Sequence, residues 1–179
     1  MTPLKALLLI GTLVFAGCAT PAQSQQPRSA ASQDLASLLR AQGYTPIALR
    51  RVGNGLDTVS MRVNGAIGTF LLDTGASNSV IDKRALPQFK IASQNLLRSE
   101  TAIGAGGDVT LSSYAISGLS INGRNFALKQ ISAADLSPVI FALARDTRIR
   151  LDGIIGQDVM IAFDGVIDTK SRTLFLRER

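Results

Sequence analysis

The sequence predicts a mainly β domain with little helix, placed behind an N-terminal extension. Three observations carry that expectation. Apolar and polar residues alternate in short runs from Asp57 onward, as in Thr58-Val59-Ser60-Met61-Arg62-Val63. Two Asn-Gly pairs, Asn64-Gly65 and Asn122-Gly123, separate such runs, and Asn-Gly is a strong signal for a tight hairpin. Hydrophobic content of 46% suffices for a packed core and excludes global disorder.

The first element is an address. Lys5 precedes an apolar stretch from Ala6 to Gly17, well short of the ~20 residues a bilayer span needs. It suits a signal-peptide core, so residues 1–17 are read as a signal peptide. The ending Val14-Phe15-Ala16-Gly17-Cys18 resembles a bacterial lipobox, with Phe15 where leucine is usual. That resemblance implies lipidation at Cys18 and a membrane partner through the lipid, because several acyl chains anchor stably where one is marginal. Ala19 stands where an inner-membrane retention signal would place Asp. The implied location is the bacterial cell envelope, at the outer membrane and facing the periplasm. The plainer alternatives are an ordinary cleaved signal peptide or a short buried helix.

Residues 18–32 are rich in Ala, Gln, Ser and Pro, lack an apolar period, and read as a flexible tether. Residues 33–56 form a lead-in. Ser32 is placed to N-cap a short helix that carries Leu35, Leu38 and Leu39 on one face and stops at Gly43. Residues 57–179 form the domain. Thr58 to Val63 and Ala66 to Leu72 are expected as a hairpin about Asn64-Gly65, and Asn78 to Ile81 as the next strand. The pattern repeats as Ile116 to Ile121, Asn122-Gly123, and Arg124 to Ile131. A short helix over Gly156 to Ile161 and two strands, Ala162 to Ile167 and Arg172 to Leu176, follow.

Composition removes whole classes of chemistry. The chain has no histidine and a single cysteine, Cys18, so Ser-His-Asp and Cys-His catalysis are excluded, as are His- or Cys-ligated metal sites. No metal and no cofactor are expected. The net charge is +6, yet the basic residues are spread out. The cluster Arg145, Arg148, Arg150 is interrupted by Asp146 and followed by Asp152, and Trp is absent, so no nucleic-acid partner is expected. The charges read as solvated surface.

Any hydrolytic chemistry is left to carboxylates, hydroxyls, lysines or backbone groups. Phe70-Leu71-Leu72 is an apolar strand that delivers Asp73 to a Gly-containing turn, Asp73-Thr74-Gly75-Ala76-Ser77. Later come Ile103-Gly104-Ala105-Gly106-Gly107 and Asp152-Gly153-Ile154-Ile155-Gly156-Gln157-Asp158. In these segments and their order, residues 57–179 resemble the retropepsin-like (retroviral-type) aspartic peptidases, as a bacterial lipoprotein member.

The resemblance implies a single closed, barrel-like β lobe with one short helix, active as a homodimer on a polypeptide substrate. It makes Asp73, Thr74 and Gly75 the catalytic turn, with Asp73 the catalytic carboxylate. Thr74 would bond across the dimer axis, and Gly75 would let backbone amides approach the carboxylate. Ala76 matches the retroviral type, where pepsin-like enzymes carry a serine that bonds the carboxylate, and this implies a milder acid optimum. Ala76, Ser77 and Asn78 would contact substrate, as would the flap residues Gly104, Ala105, Gly106 and Gly107. Many relatives carry Arg where this chain has Gln157, so one ion pair of that turn would be missing. Asp158 is read as structural, capping or orienting the turn. Terminal strands form much of the dimer interface in relatives, which nominates Arg172 to Arg179. With no second Asp-Thr-Gly or Asp-Ser-Gly in the chain, Asp73 is half of a site. The functional alternative is a catalytically inactive peptide-binding or scaffolding lipoprotein of the same fold, and a binder of nucleic acid or lipid surfaces ranks last.

Overall fold

A computed structural model describes residues 30–53, 55–104, 107–147 and 149–177. Cys18, the segment read as a signal peptide, most of the tether, and Ala105 and Gly106 lie outside the described residues. In chain order the elements are α1 (Ala30–Ala41), β1 (Thr45–Ala48), β2 (Arg50–Val52), β3 (Leu56–Val63), β4 (Ala66–Leu72) and β5 (Val80–Asp82). Next are β6 (Leu96–Gly104), β7 (Gly107–Ala115), β8 (Leu119–Ile121), β9 (Arg124–Phe126) and β10 (Gln130–Ala134). Then come α2 (Ser137–Thr147), β11 (Gly153–Ile155), α3 (Gln157–Ala162), β12 (Val166–Asp168) and β13 (Thr173–Leu176).

Both Asn-Gly pairs make the turns their chemistry favours. Asn64 and Gly65 have φ of 49° and 83°, Asn122 and Gly123 of 51° and 77°, the doubly positive signature of a type I′ hairpin. Asn64 also joins three segments. Its Oδ1 accepts from the Ser117 N–H and hydroxyl at 2.7 and 2.9 Å, and its Nδ2 donates to the Phe89 carbonyl at 2.9 Å. The helix stop is equally local. Gly43, at φ 86°, lets its own N–H reach the Arg40 carbonyl and that of Tyr44 reach Leu39, a Schellman closure.

The large sheet runs β6-β7-β10-β5-β11-β4-β3-β8-β9, with β2 paired to β3. A second sheet, β1-β13-β12, lies over it, and both contribute to one apolar core. Val59, Met61, Phe70, Ile81, Phe89 and Ile155 enter that core from the large sheet and its connections, Ile47, Leu174 and Leu176 from the small one. Removing a ring such as Phe70 would cost about 3–5 kcal/mol.

Several expectations are corrected. The barrel is not closed: β6 and β9 end the large sheet without pairing to each other. At the β9 end, side chains replace a ladder, as Arg124 Nε donates to Thr45 Oγ1 at 2.8 Å and Asn122 Nδ2 to the Pro46 carbonyl at 3.0 Å. Among the described residues there are three α-helices where one was expected in the domain besides the lead-in, because 137–147 is also helical. In α1 the two alanines before Ser32 extend the helix, so Ser32 lies within it, and Leu38 is 56% exposed while Leu39 is buried. The run from Arg124 to Ile131 splits into β9 and β10, since the chain must leave β8 to reach β7 and β5. Ala162 ends α3, and the expected strand after it shrinks to β12. Finally, β13 is the centre of its sheet, paired to β1 and β12 and buried at all four residues. That occupancy removes Thr173–Leu176 as an edge open to a second copy.

Candidate active site

β4 carries an apolar run into the loop because its alternate residues belong to the core, and Asp73 follows at the strand's end. The loop leaves through β5. The strand between these two is neither neighbour in sequence but β11, parallel to β4 (Ile154 opposite Leu71, Ile155 opposite Leu72) and antiparallel to β5 (Ile154 opposite Val80). The ladder continues into the loop, where the Asp73 N–H donates to the Ile155 carbonyl at 3.0 Å.

Past β11 the chain turns under the loop and holds it from below. The N–H groups of Gln157 and Asp158 donate to the carbonyls of Ala76 and Ser77 at 2.8 and 3.2 Å. These are the first donors of α3, which have no partner inside the helix. Asp158 Oδ1 accepts from the Ser79 N–H at 2.8 Å, the Ser79 hydroxyl at 2.6 Å and the Val159 N–H at 2.8 Å. Ser79 Oγ in turn accepts from the Gly156 N–H at 2.9 Å. A Cβ on Gly156 would lie 2.6 Å from the Asn78 carbonyl carbon and 2.7 Å from the Ala76 oxygen, so the close approach requires glycine. The Gln157 amide donates to the Thr74 carbonyl at 2.7 Å. Gln157 therefore ties down the turn through its own side chain where an ion pair was expected to be missing.

The crest of the loop faces outward. Thr74, Gly75, Ser77 and Asn78 are exposed, while Asp73 and Ala76 are half-buried. Asp73 Oδ1 accepts the Gly75 N–H at 2.9 Å, and a Cβ on Gly75 would lie 3.1 Å from that oxygen. The amide that approaches the carboxylate is that of Gly75 itself. The arrangement presents one carboxylate on a rigid, solvent-facing turn.

The flap segment is the end of the β6–β7 hairpin. Gly104 pairs with Gly107, whose φ is 112°, and Ala105 and Gly106 fall in the undescribed connection. Lower down, Ala102 and Val109 of the hairpin pack in one apolar cluster with Val80 and Ile154, the residues beside the Asp73 loop. A groove of about 500 Å³ lies elsewhere, lined by Arg50, Thr58, Ser60 and Arg62 among others, and no residue of the Asp73 loop borders it. Among the described residues no group of three or more His, Cys, Asp and Glu could hold a metal ion.

Sequence reasoning placed Asp158 as a structural residue, and its three donors give it that part. It missed Ser79, read as part of a strand, which is 2% exposed and links Asp158 to Gly156. No local signal marks it, since its partners lie nearly eighty residues later.

The aspartyl protease family model matches residues 59–159, more than half of the chain. Among curated proteins none matches. A retropepsin-like aspartic protease from Rickettsia conorii superposes with a TM-score of 0.52 at 20% identity, covering 75% of this chain and 98% of that one. The EIAV protease, solved with the inhibitor HBY-793, gives 0.44 at 22% identity over 60% and 88%. By the family match the chain belongs to the aspartyl protease family, and it carries the retropepsin-like fold.

Proposed function

We propose that the protein is an aspartic endopeptidase that works as a homodimer, with Asp73 of each copy forming one site. The observation that carries this reading is a half-buried carboxylate on an exposed, clamped turn that occurs once per chain. Two carboxylates ~3 Å apart cannot both ionise and so share one proton. The ionised Asp73 takes a proton from a water held between the pair as the water oxygen bonds to the scissile carbonyl carbon. The protonated Asp73 donates to the carbonyl oxygen and stabilises the charge that develops there. Proton transfer to the amide nitrogen then releases the amine as the C–N bond breaks, leaving the carboxylic acid. The exposed Thr74 and Gly75 are suited to meet their counterparts across a twofold axis. With β13 enclosed, the crest of the loop is the surface through which the copies would join. Ser77, Asn78 and the hairpin end would bind the extended chain, and the hairpin would exclude water.

At its N-terminus the same reading has Cys18 acylated and the domain tethered to an envelope membrane. Anchored copies would meet in two dimensions, which favours pairing.

The test compares residues 33 onward with the Asp73→Asn form on a mixed peptide library, with sedimentation alongside. Expected are loss of cleavage by roughly 10³-fold or more, an unchanged melting temperature, and specific activity that rises with protein concentration. Equal cleavage by both forms, or full activity in a strictly monomeric protein, would remove the reading.

A further inference from the structure

The groove of about 500 Å³ away from Asp73 lies on the face of the large sheet opposite the core. Val59, Met61 and Val63 of β3 enter the core, so the alternate residues Thr58, Ser60 and Arg62 lie on the other face. Pairing sets polar residues beside them. Arg50 of β2 stands opposite Thr58, Thr69 of β4 opposite Ser60, and Ser120 of β8 opposite Arg62. All of these border the groove, and none of the described residues that line it is acidic. Among the described residues neither Arg50 nor Arg62 pairs with a carboxylate. The adjacent Arg51 has one opposite it, Asp57 at 3.5 Å. Asp152, which accepts the Thr69 N–H at 2.9 Å, is paired with Arg150 and does not line the groove. Arg62 uses one donor on the Gly65 carbonyl at 3.0 Å and keeps the rest of its fork. The Thr58 hydroxyl donates to the Arg50 carbonyl at 3.0 Å. Those of Ser60, Thr69 and Ser120 have no protein partner among the described residues.

We propose that this groove binds a small phosphate monoester, with Arg62, Ser60, Thr69 and Ser120 around the phosphate and Arg50 adding a second positive charge from β2. The inference goes beyond the peptidase reading and does not depend on it. Charge is the first warrant: a concavity that holds two guanidinium groups and no carboxylate concentrates anions. Direction is the second. The donors arrive from three neighbouring strands, β3, β4 and β8. A carboxylate offers two oxygens in one plane, whereas a phosphate monoester offers three spread in three dimensions and also matches an arginine fork. Shape is the third. The volume falls within the range of small-ligand pockets, about 300–1,000 Å³. Beside the polar row, Ala48 and Ile67 line the groove exposed, Ile67 by 55%, and give the organic part of the ester an apolar surface to cover.

The experiment titrates phenyl phosphate and benzoate into the full chain and follows backbone amide shifts, which also report that each variant is folded. Phenyl phosphate should shift β3, β4 and β8 amides and bind more tightly than benzoate. R50Q/R62Q should lose roughly tenfold or more in affinity, and added salt should weaken binding to the parent. S60A/S120A, which leaves every charge in place, should also bind phenyl phosphate less tightly. Asp73→Asn should bind it as the parent does, which keeps the groove and the peptidase reading separately testable. Equal affinity in the parent and R50Q/R62Q overturns the proposal, as does loss of binding in Asp73→Asn. Unchanged affinity in S60A/S120A reduces the site to unspecific charge attraction and overturns it. Benzoate bound as tightly as phenyl phosphate overturns the phosphate preference. Attachment to phosphatidylglycerol vesicles but not to phosphatidylcholine vesicles, with no binding of the soluble ester, overturns the small-molecule occupant in favour of a lipid surface.

Discussion

The Asp73 loop and the β6–β7 hairpin border the same apolar cluster and are built on opposite plans. Residues 73–79 are held by Ile155 through Asp158 in an interlocking set of main-chain and side-chain hydrogen bonds, with a glycine under them that admits no Cβ. β6, by contrast, pairs among the described residues with β7 alone, and its residues 96–101 are exposed. On the proposed reading the first element positions a reacting group, which requires preorganisation. The other has one neighbour and much solvent, the structural marks of an element that opens at low cost.

The contrast breaks most completely at Gly156. Gly156→Ala forces a methyl group into the Asn78 backbone, and about 3 kcal/mol of stability should be lost, together with any peptide cleavage. Urea denaturation and the library assay would read both, and a variant as stable and active as the parent would mean that the clamp is not tight. Ser79→Ala is milder. It leaves the buried Gly156 N–H without its acceptor and strips one donor from Asp158, with an expected cost of about 1–3 kcal/mol.

The flap half can be sharpened instead of broken. Thr101 and Thr110 face each other on the exposed part of the hairpin. Replacing both with Val should stabilise the pair by only about 0.2–1 kcal/mol, visible as slower amide exchange in β6 and β7 with β4 and β11 unchanged. Exchange in β6 as slow as in β11 in the parent would erase the contrast.

The smallest effect expected concerns pH. Asp135 is held below the ordinary carboxylate range, first by the Ser137 hydroxyl and then by the Ser137 N–H, with Arg84 and Lys83 adding to it. Because the folded-state value is depressed, the stabilisation of the start of α2 is complete above the ordinary range and is lost as pH falls through the lowered value. Protection of α2 amides, taken relative to the intrinsic exchange rate at each pH, should fall on acidification below that range, and Asp135→Asn should remove the dependence.

What was legible in the sequence was local. Asn-Gly turns, the Gly43 stop and the apolar strand before Asp73 express chemistry within a few residues, and the structure has them in place. Distant pairing was not legible. Nothing near Ser79 announces Asp158, and nothing in Gly153-Ile154-Ile155 says that it divides β4 from β5. The helix α2 was missed although Asp135 and Ser137-Pro138 form a recognisable start, with Pro tolerated in a first helical turn. Its apolar stretch is short and runs into the arginines read as plain surface. The extent of β13's enclosure is likewise a property of the assembled sheet.

The position of β11 bears on when the molecule becomes competent. The Ser79–Asp158 contact spans 79 residues, and the strand ladder under Asp73 spans a similar distance. Contacts of such separation form late, because the loop-closure entropy must be met before they stabilise anything. A growing or partly folded chain therefore carries its aspartate for a long interval without the platform that orients it. The first and last strands described, β1 and β13, pair across some 130 residues of sequence. In this topology the carboxylate comes early in the chain, and the platform that orients it is completed by residues about eighty positions later.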